Sequence, residues 1–495
     1  MNGSHHEQQP ALSADDIHVV DQKEMKKALR ATLLGNFMEW FDIGVYAYLT
    51  ASITAVFFPL PKPWDQLAFF ATFAVTFLVR PLGGLILGPI GDKVGRRKVL
   101  AFTILMMALG TFLIGCIPSY SSWGMIAPIL LILLKFVQGF STGGEYAGAA
   151  TFIAEYSSDR RRGYWGSFLD LGSYLGFAAA AALATVIEIF LTEDQMLAFG
   201  WRICFWVALP LGIAGIIMRS RIKESAAFEA QMEAESQGAD DESQTIVGDL
   251  KMVVRKYWRQ LLLGACLVMC SQVVGYAVTS FMPSYLTGTL GYDTIHGNAL
   301  LIPVLIVVSV ALPLFGMVSD RIGRRPVILI GCGVGIVFSI PAFLLMMMGH
   351  VWSTLLGLMI MGVIMMFMVS IQASALPALF PTANRYAAMG IMFNVAVALF
   401  GGTTGGVITV LESITGSDLA GAYYIMFACL VGGVGVYLMK ESSGRNLIGS
   451  MPAVDRHEEI DPLIEGQHEN EKLDLSTMPI DIVEGPSSEG EGVKG

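Results

Sequence analysis

The sequence predicts an all-α membrane protein of twelve transmembrane helices, arranged as two pseudo-symmetric six-helix bundles with both termini cytoplasmic. Three observations carry that expectation. Of the 495 residues 54% are hydrophobic and only 15% charged, with mean hydropathy +0.60, whereas an average soluble chain carries about 25% charged residues. Apolar stretches near the ~20 residues that span a bilayer as a helix recur from Ala31 to Met439. A ten-residue pattern of Gly, Asp and basic residues also appears twice, at corresponding places in the two halves.

Twelve spans are expected, at 31–57, 67–90, 99–117, 125–154, 163–191, 202–218, 261–289, 299–319, 326–348, 352–380, 386–411 and 420–439. Their glycines suit close helix packing in lipid. The chain divides into a cytoplasmic segment 1–30, a first bundle 31–219, a central cytoplasmic loop 220–259, a second bundle 260–440 and an acidic tail 441–495. Residues 1–30 are polar and the first apolar run is too long for a signal peptide. Sidedness follows from basic residues. Lys23, Lys26, Lys27, Arg30, Lys93, Arg160 to Arg162, Arg321, Arg324, Arg325, Arg385, Lys440 and Arg445 fall on one side, against Lys62 and Arg202 on the other. That places a multi-pass protein in the cell (inner) membrane with its termini inside.

The repeat is Gly88, Asp92, Lys93, Gly95, Arg96, Arg97 after span two and Gly316, Asp320, Arg321, Gly323, Arg324, Arg325 after span eight. Glycine permits a tight turn, aspartate accepts from helix N-terminal amides, and the bases face the cytoplasm. Two copies in register indicate duplication with parallel topology. The six cysteines, Cys116, Cys204, Cys266, Cys270, Cys332 and Cys429, lie in apolar stretches without metal-ligand spacing and read as buried free thiols. No metal or cofactor is expected, and no basic stripe points to nucleic acid.

The paired loops resemble the signature of the major facilitator superfamily. The run Val137 to Glu145, with Gly139, Gly143 and Gly144 and followed by Phe152, Glu155 and Arg162, resembles its second signature. Gly35 to Asp42, and Arg80, Pro81, Leu82, Gly83 and Gly84, resemble the metabolite:proton symporters. Gln138 to Gly148 and Ala375 to Pro381 are most similar to the proline/betaine (compatible-solute) transporters.

Intramembrane charge costs about 2.5–3.5 kcal/mol per residue and marks function by default. Here it is confined to the first half: Glu39 and Asp42 in span one, Arg80 in span two, Lys135 and Glu145 in span four, Asp170 in span five. Spans seven to ten have none, and no histidine lies in any span, so a carboxylate must carry any proton. Glu39 and Asp42 share a helical face. Helix rise puts Asp42 and Lys135 near mid-membrane. An ionised Asp42 paired with Lys135 and released by protonation is the expected coupling device, with Glu39 and Glu145 assisting. The resemblance implies the same first-span acid and fourth-span base, although the family often has arginine at this position, and arginine and lysine are not interchangeable. A purely structural ion pair is the alternative. Asp92, Arg96, Glu155, Asp320 and Arg324 are the expected gating residues. Arg80 reads equally as packing against the charge cluster.

An acidic or balanced cavity without surplus arginine suits a zwitterion with a bulky cationic end, which aromatic faces attract. Trp40, Tyr146, Asp170, Gln272 and Asn394 are the expected solute contacts, drawn from a pool that also holds Tyr174, Tyr276, Tyr285, Ser370, Gln372 and Ser374. The expected function is proton-coupled import of proline, glycine betaine or ectoine, with osmotic activation. An organic-acid:proton symporter and a non-transporting membrane sensor are the alternatives. No filter of a channel and no nucleophile, metal or phosphate motif of an enzyme is present. The tail, with thirteen carboxylates against four bases, lacks heptads and reads as disordered. It is either inert or drawn electrostatically to the basic loops at Arg96, Arg160 and Arg324.

Overall fold

The computed structural model describes residues 12–94, 96–220, 246–467, 469–475 and 478, the side chains of 88–101 and 246–251 largely excepted. Among these, ten helices are long and apolar enough to cross a membrane, or eleven when the pair Met25–Tyr48 and Thr50–Phe57, bent by 63°, is counted as one span. The shorter apolar helix Phe102–Ile114 falls within the expected third span. Many large apolar side chains face outward, among them Leu109, Leu133, Val310, Val337 and Leu430. In water so wide an apolar surface would drive association; in lipid it is solvated.

Several expected spans are not continuous helices. Span four breaks at Gly143 and Gly144, between Ile126–Thr142 and Glu145–Tyr156. Spans seven and eleven each contain a π-helical turn, at Ala277–Phe281 and Val397–Gly401. Such turns widen the hydrogen-bond ladder and commonly mark functional sites. The seventh helix starts at Ile246 rather than 260, interrupted by non-helical geometry at Tyr257, so part of the expected central loop is helical; residues 221–245 lie outside the described residues.

Glycines set the helix contacts. A Cβ on Gly163 of span five would stand 2.5 Å from Ser319 Oγ and 2.8 Å from the Gly316 carbonyl, and one on Gly316 of span eight 2.5 Å from the Gly163 carbonyl. Spans two and four cross with the Thr76 carbonyl against Gly139 and the Arg80 carbonyl against Gly143. All six thiols are free, but the expected burial fails at Cys116, which is exposed at the end of its helix, and is partial at Cys266.

The tail departs from the expected disorder. Ala453–Val454 pairs in parallel with His18–Val19 of the N-terminal arm, and a short helix, Ile460–Glu465, follows. Three of the tail's acids have partners among the described residues. Asp455 pairs with Arg161 at 3.2 Å and Glu459 with Arg160 at 3.8 Å. Glu441 accepts from the backbone N–H of Arg324 and Arg325, both at 3.0 Å, capping the helix Arg324–Met347. Asp159, between spans four and five, joins the strand pair: its N–H donates to the Ala453 carbonyl and its carboxylate accepts from the Ala453 N–H at 3.0 Å. The two chain ends thus strap one face of the molecule.

Candidate transport site and gate

Glu39, Asp42, Arg80, Lys135, Glu145 and Asp170 are all buried. Glu39 is fully buried and its Oε1 accepts from Arg80 Nη2 at 2.5 Å, a close ion pair between spans one and two. Asp42 and Lys135 sense each other electrostatically but do not form the hydrogen-bonded pair expected. Each charge is met separately: Thr111 donates to Asp42 at 3.1 Å and receives a hydrogen bond from Gln138 at 2.5 Å. The Lys135 ammonium sits 3.8 Å from the Tyr46 ring centroid, a cation–π contact that is stronger for being desolvated. Glu145, also buried, opens the second piece of span four beside the Gly143–Gly144 break.

The halves meet over a polar bridge. Tyr146 donates to Asp170 at 3.3 Å and accepts from Gln372 of span ten at 2.9 Å. The Gln372 carbonyl in turn accepts from Ser271 and, at 3.3 Å, from Gln272. Tyr146 also stacks on Phe393 of span eleven, centroids 4.1 Å apart. Trp40 donates to Asn36 and packs against Phe177 and Tyr276. Asn394 is elsewhere: its amide donates to the Gly143 carbonyl at 2.5 Å and to the Gly390 carbonyl at 2.9 Å. That holds the break in span four rather than offering a polar group to a solute. Arg80, Tyr276 and Gln372, not among the expected solute contacts, lie in the same polar and aromatic network; nothing in one sequence separates them from packing residues.

On the face carrying the termini, bonds cross the half boundary. Asp320 accepts from the backbone N–H of Gly163 and Tyr164, each at 2.8 Å, capping the fifth-span helix from the other half. The Gly323 turn of the motif has φ +106°, which only glycine adopts without strain. Glu155 pairs with Arg385 of span eleven at 2.6 Å. Arg162 reaches the Arg445 carbonyl, and Arg324 the Ser442 carbonyl and hydroxyl. The Asp92 and Arg96 side chains lie outside the described residues. At the opposite face the contact is lighter, with Asn298 donating to the Tyr48 carbonyl and to Glu188. The bonds on the termini face hold the two halves together there.

Long apolar helices packed around buried charge, joined by polar contacts at both faces, have the architecture of a membrane transporter. The model of the family described as "Sugar (and other) transporter" matches residues 27–451, and the chain belongs to that family. Among similar chains are the ectoine/proline transporter ProP of Corynebacterium glutamicum, 46% identical with 95% of each chain covered, and the proline/betaine transporter of Escherichia coli K12, 41% identical over 96% of this chain and 95% of that one. The glycine betaine/proline/ectoine/pipecolic acid transporter OusA of Dickeya dadantii is 39% identical over 96% and 95%. The fold matches the major facilitator proton:xylose symporter XylE at TM-score 0.67 and 16% identity, covering 89% of this chain and 99% of that one.

Proposed function

We propose that the chain imports zwitterionic compatible solutes such as proline, glycine betaine or ectoine together with a proton. The observation that carries this reading is the likeness, over 95% or more of the chain, to relatives named for those solutes. The helix Phe102–Ile114 completes twelve crossings, and the strapped face is cytoplasmic, as its basic residues require. Protonation of Asp42, sensed by Lys135 through their electrostatic contact, and by Glu145 beside the span-four break, resets the halves. Trp40, Tyr146, Asp170 and Gln272 contact the solute between them. Glu155, Asp320 and Arg324, with Asp92 and Arg96, form the cytoplasmic gate.

Uptake of labelled proline into proteoliposomes, challenged with unlabelled glycine betaine, ectoine and 2-oxoglutarate, tests the substrate class. The zwitterions compete and the dicarboxylate does not; competition by the dicarboxylate alone would favour an organic-acid symporter.

Carrying a neutral zwitterion with one proton moves one positive charge inward, worth about 2.3 kcal/mol per 100 mV. An imposed potential of about 100 mV should therefore support about 40-fold accumulation, measured with valinomycin and potassium gradients. Uptake indifferent to potential contradicts one-proton coupling.

The strap makes a further demand. Its Arg160–Glu459 and Arg161–Asp455 pairs have largely exposed arginines, so each contributes at most about 1 kcal/mol and weakens with salt, over a screening length of about 8 Å at 0.15 M. Truncation after Ser450 removes both and the strand pair. It should keep uptake but shift its dependence on internal ionic strength and osmolality; an unchanged activation curve leaves the strap without a regulatory part.

A further inference from the structure

Arg80 is fully buried in the second span, and its hydrogen-bonding capacity is only partly used. Nη2 holds Glu39, while Nε has no hydrogen-bond partner. The guanidinium carbon lies 5.0 Å from the Phe77 ring centroid and 5.6 Å from that of Trp40. From the other half Tyr276 packs on the same rings, 5.1 Å from Phe77 and 6.0 Å from Trp40. Its buried hydroxyl also lacks a partner and is in electrostatic contact with both Arg80 and Glu39. An unpaired buried donor of this kind costs free energy and calls for an explanation.

The backbone around the group is irregular where it matters. Tyr276 is the last residue before the π turn Ala277–Phe281. The second π turn, Val397–Gly401, lies against it, with Gly401 facing the Tyr276 ring and Gly402 the Phe77 ring. Two departures from the α-helix therefore converge, from separate spans, on one ion pair and its aromatic walls.

We propose that the Glu39–Arg80 pair, walled by Trp40, Phe77 and Tyr276, is the recognition element for the zwitterion, with Glu39 standing in for the solute carboxylate. This deepens the reading of the chain as a zwitterion carrier and rests on it. As the halves part, Tyr276 moves away with the second bundle and the pair is uncovered. The solute carboxylate then takes the guanidinium, using the unpaired Nε as well as Nη2, in the bidentate geometry arginine favours. The freed Glu39 carboxylate and the faces of Trp40 and Tyr276 receive the cationic nitrogen. Reclosure brings the Tyr276 hydroxyl onto the bound solute, so binding reports to both halves.

Charge balance supplies the selectivity. The pair is neutral, and it stays neutral when a zwitterion inserts between its members. A dicarboxylate would leave surplus negative charge and a simple quaternary ammonium surplus positive charge, each uncompensated in a buried site. An ion pair that only fastens span one to span two explains neither the unpaired Nε nor the unpaired hydroxyl of Tyr276.

The test is counterflow of labelled proline in proteoliposomes, with glycine betaine and choline as competitors and thermal unfolding in detergent as the check on folding. Arg80→Gln should weaken proline and glycine betaine by at least about tenfold, while choline, which has no carboxylate and is balanced by Glu39 alone, becomes a stronger inhibitor than in the wild type. Tyr276→Phe, which leaves the ring in place, should weaken proline several-fold with unfolding unchanged. It carries the test if Arg80→Gln does not fold. Trp40→Leu should weaken glycine betaine more than proline. The double swap Glu39→Arg with Arg80→Glu restores a pair between the spans but reverses its direction; a purely structural lock predicts recovered proline affinity, and recognition predicts none. Recovery in the swap, or wild-type affinity in both Arg80→Gln and Tyr276→Phe, overturns the site. Failure of the wild-type protein to exchange any zwitterion overturns instead the functional reading on which it rests.

Discussion

Asp42→Asn is expected to abolish uphill accumulation of proline under a pH gradient while leaving exchange of solute across the membrane. The amide keeps the size and the hydrogen bond from Thr111 but is neutral at every pH, as the carboxyl is when protonated. Lys135 then loses the charge it senses across the site, and the protein behaves as though permanently loaded. Lys135→Ala should also uncouple, and should leave membrane insertion largely intact because it removes a single cation–π contact with Tyr46 and a charge that is costly to insert. Full accumulation in Asp42→Asn vesicles would remove Asp42 from the proton step.

Gly316→Leu should trap the protein with its cytoplasmic gate open. In the closed arrangement a Cβ at this position already stands 2.5 Å from the Gly163 carbonyl and 2.8 Å from Ser167 Oγ. The larger side chain has no rotamer that avoids the fifth span. Overpacking of this kind costs about 1–3 kcal/mol or more, a shift of about tenfold to a hundredfold against closure. Closure also brings Asp320 onto the Gly163 and Tyr164 amides, so separation removes that charged cap as well. Net uptake should fall by at least tenfold with the fold retained, and a cysteine placed at Ser374 should label faster from the cytoplasmic side. Wild-type uptake in Gly316→Leu would mean that spans five and eight need not meet.

The membrane helices and the glycine turn after span eight were legible because they rest on local patterns. Apolar length announces a membrane helix, and a glycine directly before paired arginines announced the turn that Gly323 makes at φ +106°. What was not legible is pairing at a distance. Glu39 was grouped with Asp42 because they share a helix face, yet its partner is Arg80, forty-one residues on. Lys135 was given to Asp42 on depth and on the family resemblance, while a neighbouring Tyr46 ring and Thr111 hydroxyl contact the two charges separately. Asn394 looked like a free amide and is bound to a carbonyl exposed by a helix break that an unbroken apolar run does not reveal. The tail read as disordered from its acidity. Two residues, Ala453 and Val454, are too few to show a strand pattern, and they pair with His18 and Val19 more than four hundred residues away.

Proton movement caused by solute tests the central claim most directly. Proteoliposomes loaded with a pH-sensitive dye, with no gradient imposed and the potential clamped by valinomycin and potassium, should acidify inside when proline or glycine betaine is added outside. The account predicts one proton for each solute in the wild-type protein and no acidification in Asp42→Asn, although that variant still exchanges labelled proline. Solute entry without acidification in the wild type, or equal acidification in both proteins, would contradict proton symport through Asp42.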